Sequence, residues 1–314
     1  MRAFLFPGQG SQAVGMGRAL SDVSPAARHV FEEVDDALGS GLSRLMFEGP
    51  AETLTLTANA QPALMATSIA ALRRLEEVSG RPVEAHCAYV AGHSLGEYSA
   101  LAAAGAIRVA DAARLLRLRG EAMQDAVPQG EGAMAALIGL DIDGVEALLG
   151  GSGVPGVCTI ANDNAPGQVV ISGERAAVEA VVAFAKDNGV RRCMILPVSA
   201  PFHCALMGPA AEAMRAALAD LALEAPAVPV ISNVTARPES DPAAIKDLLV
   251  RQVTGRVRWR EGLHALQGLG VDSFVELGAG RVLAGLVKRT LPDAQALSLH
   301  TPDDIAGFLA DRAA

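Results

Sequence analysis

The chain is short of groups that could cross-link it or bind a metal. Its four cysteines, Cys87, Cys158, Cys193 and Cys204, lie far apart with no C-x-x-C pair. That argues against a disulfide framework or a zinc site and for buried free thiols. Cys204 adjoins His203, but neighbours on a turn seldom face each other, so a thiol nucleophile is not expected there. Basic residues are also in deficit. A net charge of -9 argues against nonspecific nucleic-acid binding and leaves any acidic partner dependent on a local basic patch. No apolar run approaches bilayer-spanning length; the densest, Ser99 to Ile107, is framed by Glu97 and Arg108. Met1 to Phe6 is too short for a signal peptide, and Pro7-Gly8 ends it. No membrane association and a cytoplasmic location are therefore expected. Core-forming residues, by contrast, are plentiful. Of 314 residues, 51% are hydrophobic and 19% charged, which suits a globular chain with one large domain carrying an insertion.

The stretch that organises the rest is Val90-Ala91-Gly92-His93-Ser94-Leu95-Gly96-Glu97-Tyr98. It reads as strand, sharp turn and helix, with G-x-S-x-G at the turn. A serine on so tight a turn is strained, and side chains at positions 92 and 96 would strike the neighbouring strand and helix. The turn lifts the Ser94 hydroxyl out of the sheet and aims unpaired helix N–H groups at any oxyanion formed there. An ordinary strand-to-helix connection with a capping serine has the same pattern, so the decision falls to the remaining residues.

In chain order, Arg2 to Phe6 reads as a buried strand. Pro7-Gly8-Gln9-Gly10-Ser11-Gln12-Ala13 matches the dinucleotide pattern G-x-G-x-x-A in form. The following stretch, Pro25 to Leu38, is helical where a second strand ending in an acid is required, so dinucleotide binding is not favoured. Helices are expected over Gln61 to Val78, after Ser94, and over Ala110 to Val127. Gly132 to Ile138, Asp141 to Leu149, Val157 to Asn162, Gln168 to Ser172, Arg175 to Lys186 and Arg191 to Val198 then follow as β-α-β-β-α-β, the ferredoxin-like split pattern. The expected fold is α/β. A large α/β-hydrolase-like domain with a mostly parallel sheet spans 1–128 and 199–314, and a small ferredoxin-like α+β domain is inserted at 129–198.

A serine nucleophile needs a base. Of His29, His86, His93, His203, His264 and His300, His203 lies on a proline-containing loop between a strand and a helix, where catalytic groups are commonly placed. His93 suits a supporting role at the turn. Position alone does not separate His203 from the others decisively.

Phe6-Pro7-Gly8-Gln9-Gly10-Ser11-Gln12, Gly92-His93-Ser94-Leu95-Gly96-Glu97, Arg119-Gly120, Asn162, Pro201-Phe202-His203-Cys204, Gln252 and Glu276-Leu277-Gly278-Ala279-Gly280-Arg281-Val282-Leu283 occur in this order. Together they resemble the malonyl-CoA:acyl carrier protein transacylases, from Met1 to about Arg289. The resemblance implies ping-pong acyl transfer through a malonyl-Ser94 intermediate, with His203 as base and then acid. It implies an oxyanion hole from the N–H groups of Gln9 and Leu95, and Arg119 as the fork for the malonyl carboxylate. It also implies a dyad rather than a triad, the histidine being oriented by a backbone carbonyl with Gln252 at the matching position. Met123, Asn162, Phe202 and Gln252 complete the implied substrate-binding set. Leu95 and Phe202 resemble the malonyl-selective pattern, Phe202 crowding any substituent at the α-carbon. Gly278-Ala279-Gly280-Arg281 departs mildly from the common form, at a remote turn.

On this reading malonyl-CoA and holo acyl carrier protein are the partners, coenzyme A enters only as substrate, no metal or bound cofactor is needed, and the chain acts as a monomer. Arg191, Arg192, Lys288 and Arg289 are candidates for a carrier-docking patch. The rivals are an α/β-hydrolase esterase or thioesterase using Ser94, Asp272 and His300 in that chain order, and a noncatalytic carrier-docking subunit.

Overall fold

The computed structural model describes residues 1–310. Ten strands are numbered in chain order: β1 (Arg2–Phe6), β2 (Tyr89–Gly92), β3 (Gly132–Ile138), β4 (Cys158–Ala165), β5 (Gln168–Glu174), β6 (Arg192–Ile195), β7 (Val230–Ile231), β8 (Pro238–Glu239), β9 (Ser273–Leu277) and β10 (Gln295–Leu299). They form a mixed α/β architecture with two sheets. The larger sheet has the order β10-β9-β1-β2-β7-β8, with every pair parallel except β7 and β8. The smaller sheet, order β4-β5-β3-β6, is antiparallel throughout.

The difference follows from composition. β1 reads RAFLF and buries Ala3 through Phe6 completely, as a central parallel strand covered on both faces must. One face meets the long helix Thr57–Ser79 and its neighbours, including Leu64, Ile69, Leu72 and Leu75. The other meets Trp259, Leu263, Leu266, Leu283 and Val287. The small sheet covers one face with Val145, Val178, Val181 and Val182 from its two helices. Met134 and Val170 on its opposite face join the main core.

Strand order reverses at β1: β2 and β7 lie to one side, β9 and β10 to the other. Crevices outside the carboxyl ends of strands at such a reversal are the usual ligand sites of open α/β sheets. The ends of β1 and β2 are in register, Phe6 opposite Gly92, so the loops after both strands emerge side by side.

Several elements differ from the sequence expectation. The long helix starts at Thr57 and carries Pro62 inside it, beyond the four N-terminal positions whose N–H groups have no intrahelical partner, so the Ala58 carbonyl goes without its i+4 helical donor. After the His203 loop the chain forms a 3-10 turn, Ala205–Met207, followed by helix Gly208–Ala219, with Pro209 at its start. Short helices at Arg18–Val23, Leu42–Glu48 and Ala51–Thr55, strands β8 and β10, and helix Pro302–Ala310 gave no periodic signal long enough to read. After β1 the chain turns through residues 7–17 before a helix begins at Arg18. The glycine-rich loop therefore opens no helix directly, which removes the dinucleotide fingerprint's phosphate site.

Candidate active site

The turn after β2 is held by two glycines for steric reasons. A Cβ on Gly92 would overlap the Gly96 carbonyl, and one on Gly96 would overlap the Phe6 carbonyl of β1. Ser94, between them, has φ 53, a left-handed conformation that non-glycine residues rarely hold. Helix Gly96–Ala103 begins two residues later. His203 is likewise left-handed, at φ 61, on the loop before the 3-10 turn.

These two strained residues meet. Ser94 Oγ lies 2.8 Å from His203 Nε2. His203 Nδ1 faces two backbone carbonyls, Gln252 O at 2.9 Å and Gly255 O at 3.2 Å. Carbonyls only accept, so Nδ1 carries the proton and Nε2 is left as the acceptor for the serine hydroxyl. Burial, aided by the nearby Arg119 charge, pushes His203 down to about 3. The imidazole is thus neutral, as a base must be, through the neutral pH range.

Arg119, on helix Val109–Asp125, is 1% exposed. Its Nη1 donates to Gln61 Oε1 at 2.8 Å, and its Nη2 donates to Gln252 Oε1 at 2.9 Å and Ser94 Oγ at 3.1 Å. The guanidinium sits 5.8 Å over the Tyr98 ring. Among the described residues no carboxylate forms an ion pair with it. Buried charges are normally paired, so a guanidinium held only by neutral groups beside a nucleophile is arranged to receive an anion.

Gln252 is fully buried and lies behind the cavity wall. Its Nε2 donates to Ser94 O at 3.0 Å and to Glu97 Oε2 at 2.8 Å. Burial drives the Glu97 carboxyl up to about 7, against the pull of its hydrogen bonds from Gln252 and the Asn233 N–H and of the Arg119 charge. Glu97 can accept both hydrogen bonds in either protonation state, so its titration leaves the network connected.

Ser94, Leu95, His203, Arg119, Gln9, Met123, Asn162 and Phe202 all line one cavity of about 480 Å³. The loops after β1 and β2 bring Gln9, Ser94 and Leu95, and helix Val109–Asp125 brings Arg119. The smaller sheet contributes Met134, Asn162, Asn164 and Val170, with Leu196, Pro197 and Val198 following β6. Among the described residues neither the Gln9 nor the Leu95 N–H has a protein acceptor, whereas the Ser94 N–H is committed to Asn233 Oδ1 at 2.7 Å. His93 turns away from the Ser94 hydroxyl; its Nε2 meets Asn164 Oδ1 at 2.8 Å and its ring packs against Trp259.

Asp272 and His300, the acid and base of the esterase alternative, are elsewhere. Asp272 pairs with the amino terminus, and His300 with Asp304. Cys204 points its thiol at the Pro201 carbonyl, and burial raises it further from the thiolate. No group of His, Cys, Asp or Glu side chains suited to a metal occurs among the described residues.

Sequence reasoning missed Gln61, Glu97 and Asn233 as parts of the site. A signal existed for Gln61: it shares the apolar stripe of Leu64, Leu72 and Leu75, and a buried polar residue on such a face needs a partner. Asn233 carried none, because it reaches Ser94 only through the fold.

Comparison with known proteins shows the family of the chain. The acyl transferase domain family matches residues 3–306. The malonyl CoA-acyl carrier protein transacylase of Bacillus subtilis (strain 168) is 47% identical over 304 residues, covering 96% of this chain and 94% of that protein. That of Escherichia coli (strain K12) is 44% identical over 307 residues, covering 98% of each. The crystal structure of acyl-carrier-protein-S-malonyltransferase from Bartonella henselae superposes with a TM-score of 0.96 at 56% identity, covering 100% of this chain and 99% of the other. A malonyl-transacylase in complex with a type II PKS acyl-carrier protein superposes at 0.94 with 41% identity, covering 99% of each.

Proposed function

The chain belongs to the acyl transferase domain family, and from that premise we propose that it transfers a malonyl group from coenzyme A to the phosphopantetheine thiol of acyl carrier protein. It is an acyltransferase, and the transfer runs by ping-pong through a malonyl ester on Ser94. The observation that carries the reading is the buried Arg119, free of any ion pair among the described residues, at 3.1 Å from the Ser94 hydroxyl.

Ser94 Oγ attacks the thioester carbonyl as His203 Nε2 takes its proton, giving a tetrahedral oxyanion. The N–H groups of Gln9 and Leu95 stabilise that oxyanion. Collapse breaks the carbon–sulfur bond, and His203 returns the proton to the departing coenzyme A thiolate. The carrier's thiol then repeats the sequence in reverse. Arg119 holds the free carboxylate through both halves, with Met123, Asn162 and Phe202 shaping the rest of the acyl pocket and Gln252 fixing Arg119 from behind. Phe202 limits substituents at the α-carbon, so malonyl is preferred over methylmalonyl by roughly the 1–3 kcal/mol a methyl group is worth.

The division into 1–128 with 199–314 and an inserted 129–198 is supported by the small sheet's order, which is that of a ferredoxin-like β-α-β-β-α-β unit. The large sheet's nucleophile turn supports the α/β-hydrolase-like description. No described helix is long and apolar enough to cross a membrane. The enzyme acts in the cytoplasm as a monomer, uses coenzyme A only as a substrate carrier, and needs neither a metal nor a bound cofactor. Exposed Arg191, Arg192, Lys288 and Arg289 offer the acidic carrier its docking charge.

Mass spectrometry tests the reading. Malonyl-CoA alone should leave a lasting malonyl adduct on Ser94, and holo carrier protein should discharge it. Rapid release of free malonate without acceptor would instead mark an esterase.

A further inference from the structure

Asn233 follows β7 and is 3% exposed. Each of its four polar groups is used. Its side-chain Oδ1 accepts from the Ser94 N–H at 2.7 Å, and its Nδ2 donates to the Gly92 carbonyl at 2.7 Å. Its backbone N–H donates to Glu97 Oε2 at 3.1 Å, and its carbonyl accepts from the Arg258 N–H at 2.9 Å. The side chain therefore bridges the two ends of the turn that presents the nucleophile, Gly92 on one side and Ser94 on the other. The backbone is tied to the first turn of the helix that follows.

We propose that Asn233 is a positioning residue that holds Ser94 in its left-handed conformation and so keeps Oγ in line with His203. A non-glycine residue at φ 53 persists only where its surroundings over-determine it. Here the surroundings are specific. Two amide side chains grip the backbone of Ser94, Asn233 at its N–H and Gln252 at its carbonyl, and the Asn233 backbone N–H and the Gln252 side chain both donate to the one oxygen Glu97 Oε2. By consuming the Ser94 N–H, Asn233 also leaves the Leu95 N–H as the helix-end donor for the oxyanion. Relaxation of the turn would swing Oγ away from Nε2 while leaving Arg119 on Gln61 and Gln252, so the chemical step would fail without loss of carboxylate recognition.

The inference rests on the acyl-transfer reading, and the test separates the two. Asn233→Ala is compared with wild type in Ser94 loading from malonyl-CoA and in labelling by a neutral alkyl fluorophosphonate, which needs the serine and its base but no carboxylate fork. The expected result is a loss of about 10- to 100-fold in kcat and in fluorophosphonate labelling by the same factor, with KM for malonyl-CoA unchanged. Asn233→Ser, polar but too short to reach Ser94, should repeat it. Wild-type rates in a folded variant, a change confined to KM, or slowed malonyl loading with normal labelling would overturn the assignment. Failure of both variants to fold would also overturn it, placing Asn233 in the scaffold and not the site. If wild type labels with fluorophosphonate but never loads malonyl, the functional reading fails, while the labelling comparison still judges Asn233.

Discussion

The two sheets divide the labour of the site unequally. Every group assigned to bond making or anion binding comes from outside residues 132–195: Gln9, Ser94 and Leu95 follow strands of the larger sheet, Arg119 lies on helix Val109–Asp125, and His203 is on the segment between β6 and helix Gly208–Ala219. The smaller sheet supplies walls: Met134 and Val170, with Asn162 and Asn164 as its polar contribution. The difference has a structural basis. The larger sheet's central strands are covered on both faces and cannot shift without disturbing two cores. The smaller sheet ends in β6, where Met194 is 60% and Ile195 39% exposed. The nucleophile and the oxyanion donors sit on the rigid element, the base that follows β6 is fixed by the carbonyls of Gln252 and Gly255, and the groups that only bound a space sit on the softer sheet.

The comparison can be broken most severely at the nucleophile. Ser94→Ala should lower malonyl transfer by more than about 10⁴-fold, measured as carrier malonylation, whereas no single change in the small sheet's walls should approach that loss.

The seam between the sheets gives the next largest effect. Asp163 of β4, 1% exposed, holds Arg260 at 2.9 Å across it, beside backbone bonds that join β4 to Val257. Arg260 is half-buried, so removing it costs less than breaking a fully buried pair, about 1–3 kcal/mol for the Asp163 carboxylate left unpaired. Arg260→Ala should therefore lower stability by that order in denaturant melts, while the folded protein keeps fluorophosphonate labelling at Ser94. Loss of labelling in the folded variant would mean that the small sheet helps set the reacting geometry.

A smaller effect is expected at the wall beside the base. Phe202→Ala should raise methylmalonyl relative to malonyl loading by roughly tenfold, the worth of one methyl group, read by mass spectrometry with the two thioesters in competition.

The smallest expected effect is no effect. His203 is held at about 3, so its neutral form persists far below its ordinary value of 6.5. Ser94 labelling should show no loss of base between pH 8 and about pH 5.5. Stability behaves differently: the unfolded imidazole takes up a proton that the folded one refuses. Its contribution is therefore full above about 6.5 and lost progressively as pH falls toward 3. A labelling midpoint near 6.5 would contradict the buried, neutral base.

The two halves of the molecule were also unequally legible. Gly92, Ser94 and Gly96 could be read directly, since a five-residue steric requirement leaves a five-residue trace. The β-α-β-β-α-β run of the smaller sheet could be read because its strands and helices are long enough to show their periods. His203 could only be ranked among six histidines, because what selects it, the carbonyls of Gln252 and Gly255, lies about fifty residues on. Asn233 and Glu97 were not legible as site residues at all. Each acts through hydrogen bonds to residues distant in the chain, and such bonds impose no local spacing on a sequence. Strands β8 and β10 are short edge elements with mixed exposure, and nothing in five residues or fewer of that kind distinguishes a strand from a loop.

The central claim is that a buried guanidinium beside the nucleophile selects a donor carrying a carboxylate. Its most direct test is the ratio of malonyl to acetyl loading on Ser94 in wild type and in Arg119→Ala, with both thioesters present together. The ratio should fall by about 100-fold, since at least one charge-assisted hydrogen-bond pair is lost, and acetyl loading should hold or rise. An unchanged ratio in a folded, fluorophosphonate-reactive Arg119→Ala protein would contradict it.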